Sequence, residues 1–80
     1  MSPEQQEALD ELMQKTLQQI QCETAIKWAY RAWAAYKMKC HHDAIEYEHE
    51  AIEHAALSGD DRMLAVVRSI ITFGVEVPVP

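Results

Sequence analysis

Glu46, His49, Glu50, Glu53 and His54 are the residues of this chain best suited to chemistry. Imidazole and carboxylate groups one helical turn apart can chelate a divalent ion. Glu46-x-x-His49 also has the spacing at which helical bundles hold paired metals between inward-facing Glu and His. His49 with Glu53, and Glu50 with His54, repeat the one-turn offset. A solvated helix face explains the same residues more simply. Ala44, Ile52 and Ala55 mark the buried side of that helix, and Glu46, Glu50 and Glu53 lie opposite. A paired-metal site also needs inward carboxylates from other helices, and Glu23 is the one obvious donor. No cofactor and no metal are therefore expected. The metal-binding bundle stands as the alternative reading.

Cys40-His41-His42 invites a zinc or copper reading, but neighbours on a helix point about 100° apart and three in a row rarely converge on one ion. A polar cluster at a helix end is the expected role. No Cys–His pair has a third orienting group that would make a nucleophile. Ser2, Ser58 and Ser69 stand at cap or helix positions without a surrounding motif. The chain reads as non-enzymatic.

The aromatic residues say more. Trp28, Tyr30, Trp33 and Tyr36 spread around much of one helix. Trp33 and Tyr36 belong to its apolar stripe, whereas Trp28 and Tyr30 lie off it. Trp and Tyr dominate binding hot spots. Trp28, Tyr30, Arg31 and Tyr47, with the acidic Glu46, Glu50 and Glu53, are the expected partner-binding surface.

Eighty residues make one domain with a limited core, and self-association would remedy a slim stability margin. A homodimer is expected. The net charge of −6 argues against nucleic acid and against anionic membranes. No apolar run approaches the roughly 20 residues of a membrane span. The start, Met-Ser-Pro-Glu-Gln-Gln-Glu, is unlike a secretory signal. Cys22 and Cys40 read as reduced residues in a cytoplasmic protein. An acidic surface suits a protein partner with a basic or mixed surface.

The elements that position these residues are helices. Ser2-Pro3-Glu4-Gln5 opens the first one with a cap, a first-turn proline and a capping box. No Gly or Pro occurs from Glu4 to Ser58. Leu9, Leu12, Met13, Leu17 and Ile20 form one apolar stripe, and Cys22, Ile26, Ala29, Trp33, Tyr36 and Cys40 form another. The buried face changes between Ile20 and Thr24, which predicts a break or bend there. Lys37, Lys39, His41 and His42 suit a helix C-terminus. Asp43 and Glu46 read as a capping box for the next helix, which Gly59 ends. Asp60 then caps a last helix that Gly74 closes. The expected fold is all-α: a small antiparallel bundle of three to four helices, one domain over residues 1–74, and a short extended tail over 75–80.

Charge follows the same divisions. Residues 1–23 carry one lysine against five acids, a net −4, and residues 24–42 carry four bases and no acid, +4. Residues 43–61 carry seven acids and no Lys or Arg, −7, and residues 62–80 carry two arginines and one glutamate, +1. This alternation predicts that the basic segment lies between the two acidic ones.

Residues 24–57 resemble one tetratricopeptide helix pair. Asp43-Ala44-Ile45-Glu46-Tyr47 and Ala51-Ile52-Glu53 carry the closer match, with Ala44, Tyr47 and Ala51 in the small, aromatic and small positions. Trp28, Ala32 and Tyr36 fit the upstream helix. Cys40-His41-His42 stands where the family has its interhelical glycine. The resemblance implies a single degenerate repeat, capped by flanking helices, that binds a partner peptide or protein without catalysis.

Overall fold

The computed structural model describes residues 2–76, and these are all-helical with no strand among them. Three helices follow in order: α1 (Pro3–Lys37), α2 (His41–Ser58) and α3 (Met63–Phe73). Within the predicted tail, Val75 and Glu76 follow α3, and the rest lies outside the described residues.

α1 starts as its sequence dictates. The Ser2 side chain accepts from the Gln5 backbone, the Gln5 side chain accepts from the Ser2 backbone (both 3.3 Å), and Pro3 occupies the first turn. The helix then runs unbroken for 35 residues, about 52 Å. The break expected between Ile20 and Thr24 is absent, so the helices number three. The change of face is real, but its cause is a change of neighbour along one rigid rod. Nothing in the sequence there interrupts the backbone. Thr24 bonds back to the Ile20 carbonyl at 2.7 Å within the regular helix.

α1 and α2 form an antiparallel hairpin joined through Met38, Lys39 and Cys40. Lys39 supplies the left-handed residue, at φ 65°, where a glycine is the usual choice. The α2 N-cap is Cys40, without a side-chain cap bond, and the helix begins at His41. Asp43 thus sits in the first turn rather than at the cap, and the capping box expected of Asp43 and Glu46 does not form. The start is displaced because Lys39 and Cys40 already complete the reversal. Gly59 (φ 72°) ends α2 and Gly74 (φ 75°) ends α3, both left-handed. Asp60, expected to cap the last helix, instead accepts from the Arg62 N–H at 3.0 Å in the turn before it, and Arg62 is the N-cap of α3, without a side-chain cap bond.

The core is built largely from small residues. Ala25, Ala29, Ala32 and Ala35 on α1 are buried, as are Ala44, Ala51 and Ala55 on α2. Side chains of one methyl let two helix backbones approach closely. α3 seals the open side of the hairpin with Met63, Val67 and Ile70, and Val67 and Ile70 are the largest fully buried side chains. Cys22, Ile26 and Trp28 of α1 and Ile52 of α2 pack partly against this cluster.

Gly74 does more than end a helix. A Cβ built there would lie 2.8 Å from the Trp33 ring, whereas one at Gly59 meets nothing within 4 Å. Both positions strain any L-residue, but only Gly74 also holds an aromatic contact. Gly59→Ala is expected to cost about 1 kcal/mol from the left-handed backbone alone. Gly74→Ala is expected to cost about 2–3 kcal/mol, because overpacking against Trp33 adds to the strain. Urea denaturation of the two variants measures the difference, and equal losses would show that the Trp33 contact contributes nothing.

Candidate interaction surfaces

The N-terminal half of α1 is an arm. Residues 3–20 are all exposed, and the first α1 residues to be covered are Gln21 and Cys22. Gln21 Oε1 lies 2.6 Å from His54 Nδ1 of α2, a polar contact that ties the base of the arm to the hairpin. His54 Nε2 faces Glu50 at 3.7 Å. Beyond this link the arm extends about 27 Å from the hairpin. The molecule measures 55 × 28 × 13 Å, and α1 spans its long dimension.

Leu9, Leu12, Met13, Leu17 and Ile20, expected as part of a bundle core, are 43–62% exposed along this arm. Leu9, Met13 and Ile20 lie away from the buried side, and Leu17 stands at the edge of the stripe, in line with buried Ala35. Ile20 and Ala29 are nine residues apart, which places them about 180° apart around α1. Neither α2 nor α3 can therefore cover the stripe without leaving the alanine face. An isolated helix of this length is marginal in water. Here the packed half of α1 supplies the nucleus, and the arm propagates from it. Bonds of Gln6 to Asp10 (3.4 Å) and Gln19 to Glu23 (3.2 Å) add local support.

The second surface is the mouth of the hairpin, where most of the expected partner-binding residues collect. Trp28 of α1 packs on Tyr47 of α2, ring centroids 5.5 Å apart, and the Arg31 guanidinium lies over the Trp28 ring at 4.9 Å. The chain thus partly covers its own aromatic flank. A shallow groove of about 470 Å³ remains, floored by Trp28 and Tyr47 and rimmed by Glu46, His49 and Glu50. Tyr30 does not join it. Two residues from Trp28, it faces the other way around α1 and is exposed. Glu53 is exposed on α2 and does not line the groove.

Among the described residues, no three His, Cys, Asp or Glu side chains are grouped to hold a metal ion. Glu46 pairs with His42 at 3.3 Å on the open surface, and His54 turns to Gln21 and Glu50. Cys40 Sγ donates to the Met38 carbonyl at 3.8 Å. The alternation of charge has a different outcome from the one expected. The basic segment lies beside acidic α2, but the acidic arm projects away from it. None of Lys27, Arg31, Lys37 and Lys39 forms an ion pair among the described residues.

One polar contact across the hairpin had no sequence signal, since its partners sit on different helices without a motif. The Tyr36 hydroxyl donates to Glu48 Oε1 at 2.9 Å. That bond, then burial, then the carboxylate charge raise the Tyr36 pKa above its ordinary value of 10.0. No family model, curated protein or solved structure matches the chain.

A raised folded-state pKa means that this bond stabilises fully below about pH 10 and is lost as pH rises through the folded value. Wild type is expected to exceed Tyr36→Phe in stability by about 0.5–1 kcal/mol at pH 7. The gap should close above pH 10. Chemical denaturation of both proteins from pH 7 to 11 measures it, and a gap that widens with pH would contradict the assignment.

Proposed function

We propose that this chain is a small non-enzymatic protein–protein interaction module, acting as an adaptor, a chaperone-like protein or an inhibitory regulator in the cytoplasm. The observation that carries this reading is the apolar stripe from Leu9 to Ile20. It is exposed on a helix that the rest of the fold holds in place, and no other described residue covers it. Contiguous apolar surface rimmed by polar residues marks an interaction site. An amphipathic helix with anchors one turn apart is a common way to engage another helix or a groove.

The flanks define the partner's chemistry. Glu4, Glu7, Asp10 and Glu11 make the arm acidic, so a partner with an apolar stripe and a basic or mixed rim fits it. The groove floored by Trp28 and Tyr47, with Glu46 and Glu50 at its edge, would take an aliphatic or basic side chain of the same partner. The tetratricopeptide-like reading of residues 24–57 is supported by the burial of Ala44 and Ala51 at the helix contact and by the Trp28–Tyr47 packing. It points to the same class of role.

A photocrosslinking residue placed at Leu9 or Leu12 of the full chain, expressed in its native cells, tests the proposal. Discrete protein adducts are expected from those positions. None is expected from Gln14 or Gln18 on the opposite side of the arm. Absence of adducts, or equal adducts from both sides, would overturn the reading.

A further inference from the structure

The outer face of α1 carries a seam that continues past the arm. Leu9, Met13, Thr16 and Ile20 recur at alternating steps of four and three residues, and the same alternation continues through Glu23, Lys27, Tyr30 and Ala34. This is the period that keeps one line of side chains facing a partner helix. All eight are exposed. The chain's own α2 and α3 occupy the other side of α1, so the occupant of the seam is another molecule.

The charges on the seam indicate which. Its middle holds Glu23 and then Lys27, and a single polar layer inside an apolar seam specifies register and orientation. In a parallel pair of identical helices each charge would meet its own kind. In an antiparallel pair each would meet its opposite. The wider balance agrees, since residues 8–23, with Asp10, Glu11 and Glu23 against Lys15, would lie along residues 27–42 of the other copy, which carry Lys27, Arg31, Lys37 and Lys39. This restores between chains the contact that the alternation predicts and that the single chain does not make.

We propose that the seam binds a second copy of this chain, antiparallel along α1, with the two-fold axis at the level of Ala25. The proposal rests on the interaction-module reading and names its partner. Positions equally far from Ala25 then face each other. Glu23 meets the other copy's Lys27, Ile20 meets Tyr30, Thr16 meets Ala34, and Met13 meets the stem of Lys37, with Leu12 and Met38 flanking the seam at that level. The last two pairings bring two apolar surfaces together. One is the arm hollow of about 270 Å³ lined by Leu12, Met13, Thr16 and Leu17. The other is the shelf of Ala34, Ala35 and Met38 beside the hairpin mouth. Met38, 72% exposed in the single chain, becomes covered. About 40 Å of paired helix results.

Sedimentation velocity over graded concentrations of the full chain tests this. A dimer is expected. Glu23→Lys and Lys27→Glu should each weaken it about tenfold, since each turns two attractive contacts into repulsive ones. An equimolar mixture of the two variants should form heterodimers tighter than either variant alone. Charge reversal at exposed positions leaves the hairpin core untouched, and circular dichroism checks this.

Orientation is read from a spin label at Glu7→Cys in a Cys22→Ala, Cys40→Ala background. The two-fold predicts labels about 54 Å apart along the axis. Labels within about 20 Å, single variants as tight as wild type, or a monomer at all concentrations would each overturn the proposal. A monomer whose Leu12 adducts are to a different protein overturns the dimer and leaves the interaction reading standing. A monomer with no adducts overturns both.

Discussion

The fold depends on one constraint: the buried residues of the hairpin, Ala25, Ala29 and Ala32 on α1 and Ala44, Ala51 and Ala55 on α2, carry nothing larger than a methyl group. Close approach fixes the hairpin without a turn glycine, because the contact holds Lys39 in a conformation it would otherwise avoid. The same choice limits the core. Methyl groups bury little area, so most large-side-chain burial comes from α3 through Val67 and Ile70. Gly74 completes the seal by letting the backbone at the end of α3 pass against Trp33.

A rigid helix with an alanine face committed to α2 has its opposite face free. That geometry, more than any single residue, gives the molecule its functional character. Leu9, Leu12, Met13, Leu17 and Ile20 cost the monomer free energy where they stand, and in a small domain they are a large share of the apolar surface available for burial. The outer face becomes favourable only when another surface covers it. The Glu23–Lys27 layer then acts mainly on orientation, since such charge pairs contribute little to stability.

Much of this was legible in the residues, for identifiable reasons. Ser2, Pro3 and Gln5 announce a helix start because each satisfies a backbone group that the first turn leaves open. Gly59 and Gly74 announce helix ends because they tolerate the left-handed conformation. The change of apolar face near Ile20 was legible too, but its meaning was not. Periodicity reports which side of a helix is apolar and says nothing of whether the chain bends or the neighbour changes. Asp43 and Glu46 looked like a capping box, yet the reversal through Met38, Lys39 and Cys40 puts the N-cap of α2 at Cys40 and its first residue at His41. Trp28 and Tyr30 looked like one surface because they are close in sequence, whereas two residues on a helix face apart. The gathering of Trp28, Arg31, Tyr47, Glu46 and Glu50 follows from the hairpin register, which pairs α1 with α2 at long range.

The central claim is that the apolar side of the arm is covered by something other than its own chain. Amide hydrogen exchange of residues 9–20, measured as a function of protein concentration, tests it most directly. The account predicts weak protection in dilute solution, where only the junction at Gln21 steadies the arm. Protection should rise toward that of Ala25–Ala35 as concentration increases, while α2 and α3 stay constant. Protection of the arm that is strong and independent of concentration would show that the chain covers its own stripe, and would contradict the account.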